Sequence, residues 1–306
     1  PKRHPDDAAE GIPPPIRSAG QGKITFRPWT DERIMATTAL CQQAAPECAL
    51  EVFACGGAQA IAAMAFGTRT IRPCSIIVGP GNKFIAEAKR QISGYAGIDM
   101  VAGPTELFVI ADDSANPAWV AADMLAQAEH DIDAQVALVT NSEQFARAVG
   151  LELRSQTEGI ATSETALVSL ARNAVIIIAE SLRDAIAIAN RKAPEHLELA
   201  MDPGEERDYF AANLRNYGSL FVGHTSGEVL GDYSAGINHT LPTSGAAHWT
   251  GGLSVRSFFK TVTTLRAEKA DGTVRSLKAA EKIAGAEGLA AHAAAARIRL
   301  AEGPTD

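Results

Sequence analysis

The stretch Ala102–Asp131, AGPTELFVIADDSANPAWVAADMLAQAEHD, restricts the fold more than any other part of the chain. It opens on the turn Ala102-Gly103-Pro104, passes through the unbroken apolar run Leu107–Ala111 and reaches a helix start after a polar loop. Asn116 is a favoured N-cap residue. Pro117 stands at the first helical position, where a missing N–H costs nothing. An apolar run without alternation reads as a strand covered on both faces. Such a strand feeding a helix is half of a parallel crossover unit.

The same unit recurs. Leu50–Ala54 predicts a strand, Gly56-Gly57 a turn and Ala58–Phe66 an apolar helix; Ser75–Val78, Gly79-Pro80-Gly81 and a helix from Asn82 towards Ile92 repeat it. Upstream, the pattern predicts a short strand at Ile24–Phe26 and a helix over Asp31–Ala44. Downstream, strands at Val136–Thr140, Ala174–Ala179, Leu197–Ala200 and Ser219–Val222 alternate with helices. Those helices are one capped by Asn141 and running to Leu153, one over Glu164–Ala171, one capped by Ser181 and running to Asn190, and one over Glu205–Leu214. This alternation predicts layered α/β structure with parallel sheets. Residues 1–22, with Pro13-Pro14-Pro15 and no period, read as a disordered or irregular arm. Residues 223–254, rich in Gly, Ser, Thr and Asn, are expected to have little regular structure, and a loop of that length is usually functional or disordered. The Ala-rich tail Val274–Leu300 reads as helical, interrupted at Gly285 and Gly288.

Composition narrows the partners. With 306 residues, 46% of them hydrophobic, there is ample material for a core. A formal charge of −8 argues against nucleic acid, whose phosphates want a basic face. No apolar run reaches membrane-spanning length, and PKRHPDDAAEGIPPP lacks a signal-peptide pattern, so a cytoplasmic protein is expected. Cys41, Cys48, Cys55 and Cys74 form no CxxC pair; buried free thiols in a reducing compartment are expected rather than disulfides or a thiolate zinc site.

Several constellations could carry chemistry. Gln127 and His130, spaced i, i+3 in the last turn of the predicted helix, leave one face and could form half of a cation site; an ordinary helix end carries the same pair. Gly56-Gly57-Ala58-Gln59 and Gly79-Pro80-Gly81-Asn82 join strands to helices, where backbone N–H groups favour an anion such as a pyrophosphate. Neither is a GxGxxG, and ligand-free tight turns look alike. Glu195-His196, after Pro194, reads as an acid/base pair or as a solvated charged turn. In Gly231-Asp232-Tyr233-Ser234-Ala235-Gly236-Ile237-Asn238-His239, Asp232 offers a hard anionic ligand and His239 a neutral donor; both are also ordinary loop formers. Glu287 and His292 sit on the Ala-rich tail, where solvated side chains are equally at home. Taken together, Gln127, His130, Asp232 and His292 form a mixed N/O donor set without thiolate. That set suits zinc, with manganese or cobalt as substitutes. One carboxylate and two neutral histidines would leave such a site net positive and able to polarise an electron-rich substrate.

The segments GGAQAIAAMAFGT (56–68), GPGNKFIAEAKRQ (79–91), AGPTELFVIAD (102–112), QAEHD (127–131), APEHLEL (193–199) and GDYSAGINHTLPT (231–243) occur in the order and near the spacing found in histidinol dehydrogenases. The chain resembles that family from about Val52 to Leu300. The resemblance implies oxidation of an amino alcohol, L-histidinol, to the amino acid by two hydride transfers through a bound aldehyde, with two NAD and a bound zinc (Zn2+). It implies zinc held by Gln127, His130, Asp232 and His292, water activation by Glu195 and a general base in His196. Substrate contacts would come from Thr105 (where the family usually has Ser), His239 and Glu287, and NAD contacts from Gln59 and Asn82. It also implies a homodimer with shared active sites, His292 and Glu287 reaching into the neighbouring subunit. In fold it implies two incomplete doubly wound, Rossmann-like parallel-sheet domains with a C-terminal helical dimerisation tail. The expected division is an arm (1–22), a cofactor-side α/β part (23–105), a zinc and substrate α/β part (106–248) and the tail (249–306). Full-length relatives carry a further N-terminal portion, with half of one α/β domain and a tyrosine-bearing turn beside NAD, that has no counterpart here. Missing central strands would leave sheet edges unpaired. NHTLPTSGAAHWTGGLSVRSFFKTVT (238–263) looks closer to relatives acting on other small alcohols, sulfopropanediol among them, and an inactive binding subunit is the remaining alternative.

Overall fold

The computed structural model describes residues 16–17, 32–268 and 270–301. The strand expected at Ile24–Phe26 and almost all of the arm lie outside them. The chain divides into two compact units, Pro1–Phe258 and Phe259–Asp306.

The first part of the larger unit is built from short strands. β1 (Ile16–Arg17) pairs antiparallel with β2 (Glu51–Val52), and α1 (Glu32–Ala44) lies between them in sequence. α2 (Gly57–Phe66), β3 (Ile76–Ile77), α3 (Lys83–Ile92) and β4 (Gly97–Ile98) follow, with β3 and β4 parallel. Ile61 and Ala65 of α2 pack with Ile77, Ile92 and Ala96 to form a small core. One buried ion pair fixes the turn ahead of α3. Lys89 Nζ donates to Asp99 Oδ1 at 2.5 Å and to the Gly79 carbonyl at 2.6 Å, while Asp99 Oδ2 accepts from the Gly79 N–H at 2.8 Å. Both backbone groups of Gly79 are thereby held. Its φ of +120° is one that glycine alone adopts without strain.

The centre of the unit is a five-stranded parallel sheet. Its elements are β5 (Glu106–Ala111), α4 (Pro117–Ala128), β6 (Gln135–Thr140), α5 (Glu143–Thr157), α6 (Ser163–Asn173), β7 (Val175–Ile178), α7 (Asp184–Lys192), β8 (His196–Ala200), α8 (Glu205–Asn213) and β9 (Ser219–Val222). The strands lie in the order β7-β6-β5-β8-β9. Along β5, Leu107, Val109 and Ala111 face α4, α5 and α6, while Phe108 and Ile110 face the α7 and α8 side. Period-two alternation therefore puts apolar residues on both faces, and the run is unbroken because both faces are covered. The mixed α/β architecture with parallel sheets is the one that the alternation calls for.

Several local expectations need correction. Ser142, not Asn141, caps α5, accepting from the Phe145 N–H at 3.2 Å. Ser181 only closes a turn ahead of α7, its carbonyl accepting from the Asp184 N–H. The segment 223–254 is not devoid of regular structure, for it contains α9 (Glu228–Tyr233). The cysteines are free, but Cys41, Cys48 and Cys74 are exposed rather than buried, because α1 and the neighbouring turns present them outward. In the smaller unit α10 (Asp271–Ala286) and α11 (Ala290–Ala301) are joined at Gly288, whose φ of +75° ends the first helix; Gly285 stays inside α10. Among the described residues no helix is long and apolar enough to cross a membrane.

Replacing Lys89 by Met should strand Asp99 as an unpaired buried charge and cost about 3–5 kcal/mol in urea unfolding. A loss below about 1 kcal/mol would mean that the pair does not hold the turn.

Candidate functional site

Register decides what meets at the amino edge of the sheet. β5 and β8 are neighbours with Leu107 opposite His196, so Thr105 and Glu106 lie beside Glu195 and His196. Glu195 Oε2 accepts from the Thr105 hydroxyl at 2.6 Å and from the Glu106 N–H at 2.9 Å. The Glu106 side chain accepts from Lys192 Nζ at 2.8 Å and from the Ser244 N–H at 3.1 Å. Lys192 ends α7, so this one carboxylate anchors both the turn that delivers Glu195 and the loop beyond Thr243. Ala193 in that turn has φ +49°, and Ser244 has φ +56°. Left-handed backbone at a non-glycine residue is strained and persists where its surroundings hold it.

His196 is 3% exposed. Its Nδ1 lies 3.0 Å from the Glu106 carbonyl and 2.9 Å from Gln127 Nε2, and its Nε2 lies 3.8 Å from Asp232 Oδ1 without a hydrogen-bond partner. The two contacts at Nδ1 select opposite tautomers. Donation from Nδ1–H to the carbonyl leaves the lone pair on Nε2, facing Asp232; acceptance from the Gln127 amide places it on Nδ1. Burial holds the imidazole below its ordinary proton affinity, against the raising influence of the Glu106 carbonyl and Asp232. Glu195 moves the other way. Burial pushes it up to about 8, offset in part by Thr105 and the Glu106 N–H.

Gln127 lies in the last turn of α4 and is 1% exposed. α4 ends at Ala128, so His130 stands just past the helix rather than in its last turn, exposed to the cleft, with its N–H on the Gln127 carbonyl. α9 brings in Asp232 and, one turn earlier, Glu228, a residue that the sequence reading did not single out. Ligand atoms of His130, Glu228 and Asp232 lie within 4.8 Å of one another. The signal for Glu228 was its i, i+4 spacing to Asp232, hidden because the segment read as loop. Gly231 lets α9 approach closely, since a Cβ there would stand 2.7 Å from the Phe221 ring.

These groups border a cleft of about 590 Å³ that also takes in Pro80-Gly81-Asn82, Gly103, Thr105 and His239. Asn82 spends its Oδ1 capping α3, on the N–H groups of Phe84 and Ile85. Gln59 is exposed on α2 and does not line the cleft. Glu287, at the end of α10, and His292, in the first turn of α11, are exposed residues of the smaller unit. At the carboxyl edge of the same strands, where parallel sheets usually bind ligands, a cavity beside Asp123, Ala200 and Gly223 measures only about 10 Å³.

A divalent cation suits the donor set. Buried Gln127 Oε1, His196 Nε2 and Glu228 Oε2 have no hydrogen-bond partner, which is costly for polar atoms out of water. Glu228 is pushed up to about 8 by burial and by the carboxylates of Asp232, Glu195 and Asp123. A bound cation would take the place of the missing positive charge.

The ion-free protein should lose stability as pH rises. An unfolded Glu195 carboxyl titrates near 4.5 and the folded one near 8, so between these values only the folded chain keeps the proton. Its contribution is complete below the lower value and lost through the upper one. The urea midpoint should fall between about pH 5 and pH 8.5, and less so in Glu195→Gln. Equal midpoints across that range would contradict the burial argument.

A family model described as histidinol dehydrogenase matches residues 17–300. A histidinol dehydrogenase of Agrobacterium fabrum is 49% identical over 251 residues, covering 82% of this chain and 57% of that protein. One of Streptococcus mutans is 44% identical over 253 residues, covering 81% and 57%. The crystal structure of histidinol dehydrogenase from Elizabethkingia anophelis superposes with a TM-score of 0.74 at 40% identity, over 82% of this chain and 57% of that one. The chain thus spans a little over half the length of these proteins.

Proposed function

Because the chain belongs to the histidinol dehydrogenase family, we propose that it takes part in the NAD- and zinc-dependent oxidation of L-histidinol to L-histidine, in histidine biosynthesis. The observation that carries this reading is the meeting of Thr105, His130, Glu195, His196, Asp232 and His239 on one cleft. Gln127, His130 and Asp232 would hold the ion, joined by His292 from a neighbouring copy in a homodimer with shared sites. When bound, zinc supplies a Lewis acid for the substrate oxygen and NAD the hydride acceptor.

The chain's own residues have the proton chemistry to do. Oxidising the alcohol requires a base for the hydroxyl proton. His196 is neutral because it is buried, and with Nδ1–H on the Glu106 carbonyl its Nε2 lone pair is free to accept that proton. The aldehyde must then gain water before a second oxidation. Glu195, its proton affinity raised close to ambient pH, is suited to take a proton from that water. Thr105 and the Glu106 N–H both hold Oε2, which fixes the carboxylate while leaving Oε1 for the water. Thr105 keeps lone pairs for the substrate although its proton is spent on Glu195. His239, exposed on the cleft, and the partner copy's counterpart of Glu287 would bracket the substrate imidazole. Pro80-Gly81-Asn82 supports the NAD side, with Asn82 Nδ2 free for a contact; Gln59 would join it from α2.

The test is NADH formation from histidinol and from sulfopropanediol, with metal content measured on the same samples. Turnover on histidinol is expected. His196→Ala should abolish it while leaving the metal in place, and Glu195→Gln should slow it by about 10²–10⁴-fold. Turnover on sulfopropanediol alone would reassign the substrate. Zinc bound with no NADH from either alcohol would make the chain a binding subunit. Loss of metal from His196→Ala would overturn the role given to His196.

A further inference from the structure

We propose that Glu228 is itself a ligand of the divalent ion, so that α9 offers two carboxylates, one helical turn apart, where the family resemblance assigns only Asp232. The proposal rests on the metal-dependent reading above and adds a residue to it.

Geometry is the first support. Residues 228 and 232 are spaced i, i+4 on α9 and share a face. Ligand atoms of Glu228, Asp232 and His130 all lie within 4.8 Å of one another, so the Glu228 carboxylate points to where the other two converge. Burial is the second, independent support. Glu228 is 3% exposed, and its Oε2 has no hydrogen-bond partner. Its backbone N–H is spent on Glu198 Oε1 at 2.8 Å, which locks the start of α9 over the sheet and leaves the side chain no local partner. The ionisable groups acting on it, Asp232, Glu195 and Asp123, are all carboxylates. A buried carboxylate among carboxylates is held in a native fold when a cation pairs with it or when it keeps its proton. The nearby imidazole of His130 favours the cation, because a neutral ring nitrogen is a metal donor and does not neutralise an acid.

The consequence is chemical. Two carboxylates on a dication give a site without net charge, tighter for the metal and a milder Lewis acid than a site with one carboxylate. Such a site also widens tolerance for manganese, which prefers oxygen donors.

The experiment titrates the metal-free full chain with Co2+ alone, following the visible ligand-field spectrum and taking affinity from competition with a chromophoric chelator. One equivalent should bind. Glu228→Leu keeps the volume and removes the donor. It should weaken binding by more than about 100-fold, beyond the range for residues that only support ligands, and change the spectrum. The same variant should melt higher than the parent without metal, since an unpaired buried carboxylate has gone; a merely structural role predicts the opposite. Glu198→Gln, removing a neighbouring buried acid outside the ligand group, should leave affinity within about threefold. If Glu228→Leu fails to fold by circular dichroism, Glu228→His replaces oxygen by nitrogen and must alter the spectrum. Binding by the parent with an unchanged spectrum in the variant overturns the assignment of Glu228 alone, whether or not affinity drops. No Co2+ bound by the parent overturns the metal-dependent reading with it.

Discussion

The pairing of β5 with β8 is the constraint on which the site depends. Side chains on a strand alternate in direction, so a slip of one residue would turn His196 and Glu198 to the opposite face and send Leu197 toward Gln127. Register is secured by apolar residues on both faces, Leu107 and Val109 against one layer of helices and Leu197 and Leu199 against the other. The polar site is thus a by-product of hydrophobic packing, which specifies position far more strongly than its few hydrogen bonds could. Glu106 adds the finer adjustment. Its main chain touches Glu195 and His196, and its carboxylate ties down Lys192 and Ser244.

Desolvation sets the electrostatics. Glu195, Glu198 and Glu228 are buried near one another, and each is pushed toward its protonated form. Ordinary globular interiors avoid such crowding because each uncompensated charge destabilises the fold. Its occurrence beside buried, unpartnered atoms of Gln127 and His196 marks this edge of the sheet as specialised. The opposite edge, where an open parallel sheet would usually receive a ligand, is filled. The order β7-β6-β5-β8-β9 reverses direction between β5 and β8, yet the cleft lies at the amino ends there, with α4 directing Gln127 and His130 back toward them.

Much of the framework was legible in the chain because it is written in local chemistry. Asn116 and Pro117 start α4 where capping logic puts them, and unbroken apolar runs mark β5 and β8 as interior strands. Caps were less legible where two polar residues compete. Asn141 and Ser142 both qualify, and only the tertiary position of the helix start lets the Ser142 hydroxyl reach Phe145. Glu228 escaped notice since α9 is six residues long and holds a glycine, so neither propensity nor period could announce a helix. Its shape comes from outside, from Phe221 lying under Gly231 and Glu198 holding the first N–H. Convergence is the part that no local pattern contains. Gln127 and Asp232 are separated by two more strands of the sheet in sequence, and what brings their elements together is packing over the whole larger unit.

The left-handed backbone at Ala193 carries a last implication. Glycine would occupy that conformation without strain, but a glycine chain also roams more freely before folding, which by itself offsets about 0.5–1 kcal/mol of what relief would add. Alanine at this place therefore trades comfort in the folded molecule for a narrower range of shapes in the denatured one. The segment that presents Glu195 and His196 is stiff from both directions, restrained by neighbours when folded and by its own methyl group when not.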